Sequence, residues 1–305
     1  TRRSSDLRRY SGFDLQRLTN FFANNVTIQG GSTAFLSNND YATAEITNVV
    51  FNDNQTAIRN TAGDVTLNKV KVNAKTPDVD NGVYNDRTMS ITDTDILSFI
   101  TNSGDIETAG DNYFYEVTNT GSIDFDGTNE IATLTNNENG DIITHSNTTI
   151  TSGTNSGDLT LNDTNTITSL TNNSTGDVTS NGTLDLTTAT NKGDMHLLGT
   201  DTIGSLTNSG NVNTEETTAF DNITNERTGS ITSTGTTTYA DVDNAGTINL
   251  DGTDNLTGPV TGAGKLNIGD ETTISGSVAE SLETTLKEDS KTFITNGTLN
   301  LNNND

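Results

Sequence analysis

The side chains in this sequence that could do chemistry are few and repetitively placed. An aspartate follows a glycine at Asp105, Asp141, Asp158, Asp177 and Asp194, and the two histidines are His145 and His196. Carboxylates one repeat apart offer oxygen ligands to a hard cation, so Asp141, Asp158, Asp177 and Asp194 are the candidate metal ligands and calcium the candidate ion. Solvated turn aspartates are the favoured reading, because the calcium-binding phrase Gly-Gly-x-Gly-x-Asp is missing. Hydrolysis or elimination on a sugar polymer needs convergent acids with a base or a bound cation. His145 and His196 each stand alone, five and three residues after a glycine, where strand alternation points them outward. Phosphate-binding loop, nucleophile elbow and paired metal histidines are absent. The expectation is therefore a protein without catalytic residues or an organic cofactor. Tyr113 and Tyr115 make a small outward aromatic cluster of the kind a glycan stacks on.

These residues sit in a repeat. Gly104, Gly121, Gly140, Gly157, Gly176, Gly193, Gly210, Gly229, Gly246 and Gly264 follow one another at intervals of 17 to 19 residues. Two residues after each glycine stands an apolar side chain, as in Ile106, Ile123, Leu159, Val178 and Ile248. Ten after it stand Phe114, Ile131, Ile167, Ile203 and Leu256, among others. Period-two alternation in Thr-, Val- and Ile-rich segments this short predicts strands. A second glycine, six after the first, recurs before Thr at Gly127, Gly182, Gly199, Gly235 and Gly252, and predicts a turn with backbone angles only glycine adopts cheaply.

Fifteen residues after the repeat glycine lies a column of asparagines: Asn119, Asn136, Asn155, Asn172, Asn191, Asn208, Asn225 and Asn244. Stacked above one another, such amides can hydrogen-bond along the column. The extra residues of the longer units fall between this Asn and the next Gly, which marks that turn as solvent-facing.

Composition agrees with a thin coil and excludes several functions. Only 29% of the 305 residues are hydrophobic, the net charge is −26, and Cys is absent. Low hydrophobicity with high charge suggests disorder, but disorder does not space its apolar residues regularly, and a solenoid buries few side chains per turn. No Lys or Arg occurs between Arg87 and Lys192, so the basic stripe of a nucleic-acid reader is missing. Arg2, Arg3, Arg8, Arg9 and Arg17 crowd the start, which reads as an amphipathic cap. The absence of Cys rules out disulfides and thiolate metal sites. No apolar run reaches membrane-spanning length and no leader peptide is recognisable, so membrane contact is expected only through a part of the protein not present here.

The phrases Asn244-Ala-Gly-Thr-Ile-Asn-Leu250 and Thr261-Gly-Ala-Gly-Lys-Leu-Asn-Ile268 resemble the repeats of bacterial autotransporter passengers and filamentous haemagglutinin-like adhesins. The resemblance covers residues 100–275 well and the first hundred loosely, and it implies a right-handed parallel β-helix on a bacterial surface. The departure is that no membrane β-barrel segment follows.

The expected fold is thus all-β: a right-handed parallel β-helix (solenoid) with three short strands per rung of 17–19 residues. Residues 1–25 are expected to cap it, 26–100 to form longer irregular rungs and 101–279 the regular ones. Residues 280–305 are expected to form a polar excursion, with one or two helical turns, and the start of a further rung. The expected function is that of a non-catalytic extracellular adhesin, stalk or scaffold meeting a host or cell-surface protein or glycan. The alternatives are a self-assembling filament or surface-layer subunit built from further copies, and a polysaccharide-binding or polysaccharide-cleaving β-helix.

Overall fold

Alternation between an apolar or amide side chain and a short polar one commits each segment to a strand with one buried face. The computed structural model describes residues 13–14, 20–73 and 82–299, and among them every regular element is a β-strand. The chain divides into two units, residues 1–152 and 153–305. Each is a β-solenoid of stacked parallel coils, with about 15 turns in all.

Unit 2 shows how one repeat makes one coil. In the coil that starts at Gly157, the strand Asp158–Leu161 buries Leu159 and Leu161. A turn at Asn162–Asp163 leads into Thr164–Asn172, which buries Asn165 and Ile167, then Leu170 and Asn172. Between those two inward pairs, Thr168 and Ser169 both face outward, and the pairing to the next coil skips Thr168. The chain therefore turns a corner there without ending its ladder. The three strand segments expected per coil are present, the second and third joined in one nine-residue strand.

Registry between coils is strict. Asp158–Leu161 pairs with Asp177–Ser180, then Asp194–Leu197, then Asn211–Thr214, each residue against its counterpart one repeat on. Like side chains consequently stack. Leu159, Val178, Met195, Val212, Ile231, Ile248 and Leu266 form one continuous buried column.

Turn glycines act in a way the sequence reading did not anticipate. Gly127 does adopt the left-handed conformation, with φ 78°. Gly182, Gly199, Gly235 and Gly252 do not; there a Cβ would overlap the backbone of the coil before, such as the Asp163 carbonyl oxygen in front of Gly182. Close stacking of turns, and not left-handed geometry, demands glycine at these four positions.

Unit 1 is less regular. Thr33–Thr47 and Thr56–Asn68 are long strands, and their pairing is interrupted after Ser37 and again after Asn38. Of the expected cap, Phe13–Asp14 and Asn20–Asn24 pair in parallel with Thr33–Thr47. Phe21 packs between Phe13 and Phe35, with ring centroids 5.0 and 5.3 Å away. Residues 1–12 and 15–19, which carry all five arginines, lie outside the described residues. The helical turns expected within 280–291 are replaced by strand. Glu283–Leu286 pairs with Lys265–Ile268 and Lys291–Ile294 with Glu271–Ile274, because the ladder of the coil before offers each a backbone partner.

Candidate functional site

The aspartates that follow the repeat glycines do stack. In unit 2, Asp158, Asp177 and Asp194 occupy equivalent positions on three successive coils, and Asn211 follows, its Nδ2 donating to Asp194 Oδ1 at 2.8 Å. In unit 1, Asp105 and Asp141 flank Ser122 in the corresponding column. Asp177 is the most enclosed chemically. Partial burial raises its carboxyl pKa, His196 opposes that shift, and Asp194 and Asp158 add to it. His196 Nε2 lies 3.8 Å from Asp177 Oδ1, and His145 Nε2 lies 3.1 Å from Asp124 Oδ1.

Glu107 and Asp124 are in register on neighbouring coils and, with Asp126, Ser90 and Thr92, line an open depression. Among the described residues, no three His, Asp or Glu side chains gather closely enough to hold a metal ion. Asp158, Asp177 and Asp194 are arranged as a line one coil apart, whereas a calcium site needs six to eight oxygens around a point.

Asparagines form the most ordered polar array. In unit 2, Asn172 Nδ2 donates to Asn191 Oδ1 at 2.9 Å, and the same bond continues through Asn208 and Asn225 to Asn244 at 2.8–2.9 Å. Asn155 starts that run, donating to Asn172 at 3.0 Å. From Asn155 to Asn225 each Nδ2 also reaches the carbonyl of a repeat glycine, as Asn191 does to Gly193 at 3.1 Å. A further contact goes to the first residue of a strand in the next coil, as from Asn191 to Asn211 O at 2.9 Å. In unit 1 the run is longer than expected. Asn60 donates to Asn85, Asn85 to Asn102, Asn102 to Asn119 and Asn119 to Asn136, at 2.8–3.0 Å. All are buried, so the column is part of the interior and holds coil to coil.

No family model, curated protein or solved structure matches the chain. What the chain can do is therefore read from its own geometry.

A second inward polar column was not picked out by the sequence reading. Eight residues after the repeat glycine stand Asn112, Asn129, Thr148, Asn165, Leu184, Asp201, Thr218, Thr237, Asp254 and Thr272, nine polar residues and one Leu. The polar ones are buried, including both carboxyls. Four of them, Asn129, Asp201, Thr237 and Asp254, are bonded from the fourth position of the coil before. Thr108 donates to Asn129 Oδ1 at 3.2 Å, and Ser180 to Asp201 Oδ1 at 2.7 Å. Thr214 and Thr237 share a bond of 2.8 Å, and Ser233 donates to Asp254 Oδ1 at 2.6 Å. Where the fourth position is Leu161, the eighth of the next coil is Leu184, so apolar faces apolar. Burial pushes the Asp201 carboxyl up to about 6, against hydrogen bonding from Ser180 and the Leu184 and Gly199 amides. It pushes Asp254 up to about 7, against Ser233 and the Gly252 amide, with Asp251 and Asp270 adding to the rise.

Proposed function

We propose that this chain is a non-catalytic scaffold displayed outside a bacterial cell, an adhesin-like or stalk-like β-solenoid whose outward columns meet a cell-surface protein or glycan. The observation that carries this reading is the regular outer array. Thr164, Thr183, Thr200, Thr217, Thr236 and Thr253 stand in register on successive coils and are exposed. Inward positions hold the coils together, and outward positions repeat short polar groups at one coil spacing, about 4.8 Å. Such an array suits a partner that itself repeats, because weak contacts made many times add up. The resemblance of the repeat phrases to autotransporter and haemagglutinin-like passengers supports an extracellular setting.

The test is to expose the purified chain to glycan arrays and bacterial or host cells while assaying the same polysaccharides for cleavage. Saturable binding without release of oligosaccharide is the expected result. Turnover of any polysaccharide would overturn the non-catalytic reading.

Self-assembly is a second reading, favoured by one feature of unit 2. Leu286 and Ile294 continue the inward columns of Ile268 and Ile274 but are 42% and 51% exposed, and Phe293 beside them is 50% exposed. Their strands have one partner each among the described residues. A coil face of this kind can accept a further coil, of this chain or of another copy. Electron microscopy at micromolar concentration, with and without calcium, separates the readings: fibres or sheets favour assembly and discrete particles favour display.

A further inference from the structure

Outward aromatic side chains cluster in three successive coils of unit 1. Tyr84, Phe99, Tyr113 and Tyr115 stand half-buried on the strands Gly82–Asn85, Asp95–Asn102 and Asp111–Asn119, which follow one another in the stack. The repeat positions of Tyr113 and Tyr115 are filled in unit 2 by short side chains, such as Thr166 and Thr168 or Asp185 and Thr187. The ladder is irregular at the same place. Tyr115 alone stands between Phe114 and Glu116, whereas Leu97 and Ser98 both stand between their partners Ile96 and Phe99. The extra residue sits at the corner, where Ser98 turns inward and Leu97 stays half-buried on the outer side. Bulges of this kind re-aim side chains and recur beside functional sites.

Of these rings, Tyr84 is already engaged. Phe99 packs edge-on against it with centroids 5.5 Å apart, and the Arg59 guanidinium lies 5.7 Å from its centroid. Tyr113 and Tyr115 have no ring, cation or hydroxyl partner among the described residues. Carboxylates surround them instead. Tyr113 lies in register between Asp95 of the coil before and Glu130 of the coil after, both exposed, and Glu116 follows Tyr115. These three carboxylates form no ion pair among the described residues, and no Lys or Arg occurs between Arg87 and Lys192. An anionic ligand is repelled by such a face. A pyranose has C–H groups on one face and hydroxyls around its rim. The C–H face suits the apolar body of a tyrosine, and the rim hydroxyls suit carboxylate acceptors, whose hydrogen bonds are strong. Acceptors on both sides of Tyr113, each one coil spacing away (about 4.8 Å), match a rim of donors. A lysine or arginine side chain carries its donors at one end only.

We propose that Tyr113 and Tyr115, with Asp95, Glu116 and Glu130, form a binding site for an uncharged stretch of a cell-surface polysaccharide. The two tyrosines supply the stacking surface, and the carboxylates accept from sugar hydroxyls. The site rests on the reading of the chain as a display scaffold, and it names the ligand class and the coils of unit 1 that take it.

The experiment titrates the full chain with cellohexaose, chitohexaose, maltohexaose and mannohexaose, and with heparin and polylysine as charged probes. The chain has no Trp, so a near-ultraviolet difference spectrum reports on its tyrosines. A saturable tyrosine signal with at least one neutral hexasaccharide is the expected result. The double variant Tyr113→Ala, Tyr115→Ala should bind that sugar about tenfold more weakly or worse, as when an aromatic anchor is truncated. The double variant Tyr113→Phe, Tyr115→Phe keeps both rings and should bind nearly as the parent does. Thr166→Ala with Thr168→Ala, at the same repeat positions of unit 2, should leave binding unchanged. Thermal melts like the parent's show that the variants are folded. An alanine variant that binds the sugar as the parent does would overturn the site while leaving the display reading in place. Binding confined to heparin or polylysine would overturn the ligand class, as would attachment to cells without binding of any neutral hexasaccharide. A chain that binds neither sugars nor cells removes the display reading and this site together.

Discussion

At the scale of one residue, a buried asparagine of the column is costly to remove, because it holds partners in more than one coil. Asn208 accepts from Asn191 at 2.9 Å and donates to Asn225 Oδ1 at 2.9 Å, Gly210 O at 3.1 Å and Ser230 O at 3.2 Å. Asn208→Ala strands partners in two other coils, and each buried group left unsatisfied costs roughly 1–3 kcal/mol. Chemical denaturation should therefore show a loss of about 2–4 kcal/mol. Asn222→Ala, at an exposed side chain bonded to Gly204 O at 3.4 Å, should change stability by less than about 0.5 kcal/mol. Equal effects would mean the column is ornamental. The column from Asn119 to Asn244 was legible because a glycine at fixed distance anchored the count. Asn85 escaped because Arg87 stands where the glycine would be, its carbonyl still accepting from Asn85 Nδ2 at 2.7 Å. Asp201 and Asp254 escaped for another reason. Read alone, the eighth position is a mixture, and the pairing of Asp201 with Ser180 and of Asp254 with Ser233 emerges only against the fourth position of the coil before.

At the scale of the element, a turn is specified by what lies beneath it as much as by its own backbone angles. The recurrence of Gly182 before Thr suggests a backbone role, whereas its backbone is one that L-residues adopt and the obstacle is the Asp163 carbonyl. A sequence shows that glycine recurs; it does not show whether a φ angle or a neighbour requires it. Gly182→Ala should accordingly destabilise by about 1–3 kcal/mol, because the new methyl must push two stacked turns apart. Gly31→Ala serves as the comparison, since the nearest atom to its Cβ would be 3.5 Å away, and it should be nearly neutral. Thermal melts of the two variants decide the matter, and a Gly182→Ala melt like the parent's would refute the stacking argument. The corner at Thr168 and Ser169 was also hidden. Both residues face outward on a continuous strand, and no glycine or proline marks the bend.

At the scale of the whole molecule, two electrostatic effects act on stability, and they respond to different variables. The chain carries 41 acidic and 15 basic residues, and its exposed carboxylates recur in columns, as at Asp158 and Asp194. Like charges repeated at one coil spacing repel, and added salt screens charges that face solvent. Raising NaCl from low to about half molar, where screening reaches only a few ångströms, should raise the melting temperature at pH 7.5. The buried carboxyls follow pH instead. Their folded values, about 6 for Asp201 and about 7 for Asp254, lie above the ordinary aspartate value of 3.8. Between roughly pH 4 and pH 7 the folded state keeps protons that the unfolded chain has lost, so stability falls with rising pH across that window and is level beyond it. A shift of two to three units corresponds to on the order of 3 kcal/mol for each group. Buried groups are screened far less than exposed ones, so salt should lift the melting curve while leaving its slope between pH 5 and 7 in place. If half-molar salt flattened that slope, the pH dependence would belong to the exposed acid columns, and the interior carboxyls would have no part in it.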